Sequence, residues 1–176
     1  LTISYATLSG SFEYPPRTLG FLIKKKWTSA NTGSVTPEFI IPREDDIDTG
    51  DPWTTGVPPE IVFRKSGSFT GIPLSIGNGM YKIEFGISIH LFSSTQRQEF
   101  LFEREIKRIL QEFGRNPILK YSTDYDTPPT TAVDSGWKNI SPEVPDFRSE
   151  DPENLQTDYI THSVATVNAI YYEHRI

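Results

Sequence analysis

Between Met80 and Phe92 the chain alternates. Tyr81, Ile83, Phe85, Ile87, Ile89 and Leu91 are apolar, and Lys82, Glu84, Gly86, Ser88 and His90 between them are polar or small. A period of two sustained this long predicts a β-strand with one buried face. The period then changes. Phe102, Ile106, Ile109, Leu110 and Phe113 form the stripe of an amphipathic helix. Thr95 with Gln98 fits a capping box at its start, and Gly114 followed by Pro117 stops it. The helix is therefore expected over roughly Gln96–Phe113.

Other strands group around this unit. Ile72–Ile76 is joined to the long strand by Gly77-Asn78-Gly79, and Asn-Gly is a strong hairpin signal, so an antiparallel hairpin is expected. Glu60–Lys65 and Pro117–Tyr121 read as separate short strands. Tyr159–Ile176 has no Gly or Pro and reads as a long closing strand, with Ile160, Val164, Ile170 and Tyr172 on one face. Near the start, Ile3–Leu8 and Leu19–Ile23 favour strand, and Pro15-Pro16 separates them. Lys24-Lys25-Lys26 then reads as a charged strand edge or loop.

These elements predict one domain over residues 1–176. Residues 1–59 form an extended arm and loop region, and 60–121 a hairpin–strand–helix core. Residues 122–158 are an acidic, Pro-rich excursion, and 159–176 the closing strand. The expected class is α+β: a mainly antiparallel or mixed sheet, one long amphipathic helix packed on it, and long Pro-rich loops. Composition agrees with a modest core. Hydrophobic residues make up 36% of the 176, while the 14 Pro and 12 Gly concentrate outside the strand–helix unit.

Charge refines this outline. The net charge of −6 is uneven: residues 66–120 carry +2 and residues 121–176 carry −7. The acidic third disfavours nucleic acid as a specific partner. Cysteine is absent, which excludes disulfides, thiolate zinc sites and a Cys nucleophile. No apolar run approaches the roughly 18 residues of a membrane span, and residues 1–23 lack a signal-peptide pattern.

Candidate chemistry is sparse. His90, His162 and His174 fall on expected strands. Two strand histidines could meet in space, but no metal-ligand spacing is present, and they read as surface or hydrogen-bonded groups. The acidic run Glu44–Asp51 fails the calcium-loop pattern. Asp124, Asp126 and Asp134 sit in turn-like contexts, where Asp bonds its own backbone. Nucleophile-elbow, phosphate-loop and zinc-protease motifs are missing. Asn139-Ile140-Ser141 is a glycosylation sequon that would matter in a secretory context. No catalytic, cofactor or metal residue is assigned. A metal-dependent hydrolase or nuclease using loop carboxylates and an extracellular binding module are the alternatives to the reading that follows.

The order of short strand, hairpin, long alternating strand, capped helix, excursion and long final strand resembles the neck and tail-completion proteins of tailed viruses, the tail-terminator group above all. The resemblance covers roughly residues 60–113 and 159–176 and lies in pattern. It departs from that group in having no clear N-terminal helix, and residues 1–59 have no obvious counterpart. It implies an α/β sandwich that assembles as a ring, usually hexameric, between tail tube and connector. The implied protein is a non-enzymatic virion component, assembled in the host cytoplasm, that contacts copies of itself and other tail or connector proteins without cofactor or membrane. Trp27, Trp53 and Trp137, carried on long Pro-rich segments, are candidate interface residues, the alternative being that these segments fold back on their own sheet.

Overall fold

A computed structural model describes residues 11–13, 15–41, 57–74, 79–113, 116–117, 119–122, 130–131, 139–150 and 161–174. In chain order these form β1 (Ser11–Glu13), α1 (Pro15–Lys26), a 3-10 turn (Ser29–Thr32), β2 (Glu38–Ile40), β3 (Glu60–Pro73), β4 (Met80–Ser93) and α2 (Gln96–Gln111). They continue with β5 (Asn116–Pro117), β6 (Leu119–Ser122), β7 (Thr130–Thr131), β8 (Asn139–Pro142), β9 (Arg148–Glu150) and β10 (Thr161–His174). The class is α+β with a mixed sheet and, among the described residues, two helices. No described helix is long and apolar enough to cross a membrane.

The N-terminal helix corrects the sequence expectation. Pro15 and Pro16 do not merely interrupt strands. They open α1, where a missing N–H costs nothing and φ is already helical. Leu19, Leu22 and Ile23 then form a buried three-and-four stripe. Lys24, Lys25 and Lys26 occupy the last turn, where cations offset the helix dipole. A single turn of apolar residues was too short a signal to separate helix from strand.

The main sheet runs β2-β3-β4-β10-β8-β5, with β9 also on β10. Only β2 lies parallel to its neighbour. A second sheet, β1-β6-β7, has three short strands. The centre is β4, paired antiparallel along all fourteen residues with β10, from Met80↔His174 to Ser93↔Thr161. On its other edge lies β3, which unites the two expected short strands into one. The register shifts between Ser66 and Thr70, and Gly67 there adopts φ +70°. The sequence reading had left residues 66–71 outside both strands. The 122–158 excursion is likewise not all loop, since it supplies β7, β8 and β9. The expected Asn78 turn lies outside the described residues, but Leu74 N–H donates to Met80 C=O at 2.9 Å and closes the hairpin.

Both helices cover one face of this sheet. Ile61 and Phe63 of β3, Phe85, Ile87, Ile89 and Leu91 of β4, and Val167 and Ala169 of β10 meet Leu19, Leu22 and Ile23 of α1. Phe102, Ile106, Ile109 and Leu110 of α2, with Phe113 just beyond it, complete the layer. On β10 the buried row is Ala165, Val167 and Ala169, not the expected row of Val164, Ile170 and Tyr172. Larger side chains suggested the wrong parity; the small residues leave room for the helices. Thr95 Oγ1 accepts from Gln98 N–H at 3.1 Å, while Gln98 Oε1 accepts from Ser94 N–H, so the expected cap is formed with its return bond one residue earlier.

One buried carboxylate fastens the helical layer. Glu105 of α2 accepts from Thr28 N–H at 3.1 Å, Asn31 Nδ2 at 2.8 Å, and Arg108 Nε and Nη2 at 2.9 and 2.6 Å. Burial pushes its pKa up, but the bonds from Arg108, Asn31 and Thr28 outweigh burial, and the carboxyl sits below its ordinary value. Its stabilisation is therefore complete above the unfolded-state value of about 4.3 and is lost as pH falls through the lower folded value. Glu105→Ala is expected to lower stability by about 3 kcal/mol, because four N–H donors on three residues lose their acceptor in a buried place, and to flatten the acid limb of the stability profile. Urea unfolding across pH checks both. Gly86 gives a second expectation. A Cβ there would lie 2.7 Å from the Ser66 carbonyl oxygen, so Gly86→Ala should cost about 1–3 kcal/mol in the same assay.

Candidate functional site

The polar row of β4 faces away from the helices, and register places its neighbours. Phe92 lies between Glu60 of β3 and His162 of β10, and His162 lies opposite Glu150 of β9. Glu38 of β2 extends this row beyond Glu60. The next row reads Ile40, Val62, His90, Val164 and Arg148. Arg64, Ser88 and Thr166 follow. Although neither described helix covers this face, Val62, Phe92, Glu60 and His162 are buried, and Ile40 packs on the Val62–Phe92 pair.

His90 and His162 are diagonal neighbours across β4 and β10, close enough for long side chains to meet. Their rings do meet. His90 Nδ1 lies 3.1 Å from His162 Nε2, and His90 Nε2 lies 3.2 Å from Ser88 Oγ. Phe92 stacks on His162 at 4.4 Å between centroids, 8° from parallel. Ser88 Oγ also donates to Arg64 C=O at 3.4 Å.

Counting donors sets the direction of this chain. With the Ser88 hydroxyl proton on Arg64 C=O, His90 Nε2–H donates to Ser88 Oγ, and His162 Nε2–H donates to His90 Nδ1. All three contacts are then hydrogen bonds. Reversing the chain turns the Ser88 proton toward His90 and removes the bond to Arg64, leaving two. Within these three contacts the first arrangement makes one more hydrogen bond and is favoured. Burial, then His162 and Arg64, lower His90 to about 4. Burial also lowers His162, opposed by Glu150. Both rings are neutral at pH 7, and an imidazole of such low basicity is a poor general base for the adjacent serine.

Toward the hairpin the same face opens. A cavity of about 740 Å³ is lined by Ser66, Lys82, Glu84, Thr166, Asn168 and Ile170 among others. Beyond it Ile72, Leu74 and Tyr172 are 40%, 50% and 37% exposed. Register sets Ile72 and Tyr172 on either side of Lys82, which pairs with Glu84 at 2.7 Å.

The expected site residues fare differently. Trp27 is engaged within its own chain, edge-on to Phe39 at 5.4 Å and to Phe102 at 5.3 Å, and packs on the main core. Trp53 and Trp137 lie outside the described residues, as do Glu44–Asp51, Asp124, Asp126 and Asp134. Asn139 begins β8, paired with Pro117. Among the described residues no three His, Asp or Glu side chains gather to hold a metal. The sequence reading of hydrogen-bonded strand histidines agrees with this contact, but which two meet is set by the β4–β10 register alone. No protein-family model matches the chain, and no curated protein is detectably similar to it. The donor count carries an expectation: long-range ¹H–¹⁵N spectra at pH 7 should show His90 and His162 neutral with the proton on Nε2 in each. A proton on His90 Nδ1 would reverse the chain.

Proposed function

We propose that the chain is a non-enzymatic structural component of a tailed virus, a ring-forming neck or tail-completion protein similar to the tail terminators. Its partners are further copies of itself and the adjoining tail or connector proteins. Element order supports this reading. The helix α1 supplies the N-terminal helix that the sequence pattern had lacked, ahead of the hairpin, the capped helix and the long final strand.

The observation that carries the proposal is the two-sidedness of the sheet. Helices bury one face, while at the hairpin end the other presents Ile72, Leu74 and Tyr172 beside an open cavity. Exposed apolar residues gathered in neighbouring rows and rimmed by charge mark a contact surface. A second copy is the occupant a ring requires. Contact through this patch with a different surface of the next copy is heterologous, and such contacts close into rings when the rotation allows.

Mass photometry tests the proposal directly. A discrete species of several copies of the 20.0 kDa chain, six if the resemblance extends to stoichiometry, is expected at micromolar concentration. Tyr172→Asp combined with Ile72→Asp should raise the concentration for assembly at least about tenfold, since 1.4 kcal/mol suffices for that change. A chain monomeric at every accessible concentration would reject the ring.

A further inference from the structure

We propose that the Ser88–His90–His162 chain is a proton-sensitive latch that holds the His162 end of β10, with the edge strand β9 paired to it, in place near neutral pH and frees β9 in acid. The geometry supplies the mechanism. The contacts of 3.2 and 3.1 Å run from β4 to β10, His162 is pressed under Phe92, and β9 hangs on β10 opposite His162, Ser163 and Val164.

The chain accepts one proton but not two. A proton on His162 Nδ1 leaves Nε2–H donating to His90, and Glu150 across the strand pair favours it. The next proton must enter at His90 Nδ1. Two N–H groups of two cations would then face each other across 3.1 Å with no acceptor between them, so the contact must break. Charged neighbours on every adjoining strand act on this step. Arg64 on β3 and Arg148 on β9 oppose it. Glu60 on β3 and Glu38 on β2 lie in the Phe92 row, and Glu150 serves His162 first. What yields is the weakest attachment: β9 pairs through three residues, all exposed, whereas β4 and β10 share fourteen pairs. Such short edges open at low cost.

The sign follows from His90 being lowered to about 4. Between about 6.5, the unfolded-state value, and 4 the unfolded chain binds the proton and the native chain does not, so stability falls with pH across that window. Below it the penalty is constant.

The test compares wild type with His90→Gln, whose amide can accept from His162 and donate to Ser88 without titrating. On going from pH 6.5 to 4 the wild-type unfolding constant should rise on the order of a hundredfold more than that of the variant. In hydrogen exchange corrected for intrinsic rate, protection of residues 148–150 and 161–165 should fall at least about tenfold in wild type alone. Parallel profiles for the two proteins, or unchanged wild-type protection on these strands, would overturn the latch. Should His90→Gln not fold, an NMR titration of wild-type His90 decides. An imidazole still neutral at pH 5 is required, and titration near 6.5 refutes the proposal.

Discussion

The main sheet and the helical layer packed on it depend on β4 being hydrogen-bonded along both edges. A strand so placed cannot slip by one residue without turning its whole apolar row to the opposite side. Fourteen pairs with β10 and the long ladder with β3 therefore fix which side receives the helices. Phe85, Ile87, Ile89 and Leu91 then form a continuous floor under α1 and α2. Burial of such side chains contributes about 1.5–3 kcal/mol each, enough to make this register the dominant stabilising choice.

The helical layer needs a further constraint, because apolar contact alone is non-directional. Glu105 supplies it. Its four hydrogen bonds reach the backbone after α1, the 3-10 turn and the α2 residue Arg108, so they set the position of one helix against the connection leaving the other. Trp27 fills the same junction with its ring edge-on to Phe102. A candidate interface residue thus serves its own core, as large aromatic rings commonly do when local burial is available.

The sequence displayed the parts of this fold whose signals are long. Alternation over Tyr81–Leu91, the Phe102–Phe113 stripe and the Thr95 cap all correspond to observed elements, because each repeats one physical requirement several times. Short or ambiguous signals were misread. The single buried turn of α1 resembles a strand fragment, residues 66–71 fall outside both expected strands, and β10 carries apolar residues in both rows, so parity could not be decided by size. Which two histidines meet was illegible for a different reason. His90 and His162 are 72 residues apart, and only the register of two strands aligns them.

The outer side of the sheet solves its exposure problem in two ways at its two ends. Around Phe92, neither described helix covers the rows, yet Val62, Phe92 and His162 are buried, and the polar groups among them are directed into one another: imidazole to imidazole to hydroxyl to carbonyl. Such a network tolerates burial only while every donor meets an acceptor, which makes its integrity depend on protonation. Around Tyr172 and Ile72 the opposite holds. Apolar side chains are left uncovered beside a polar trough, and the ion pair Lys82–Glu84, exposed and weakly stabilising, does not close it. One strand pair thus connects an acid-sensitive, internally satisfied end to an end that gains from being covered.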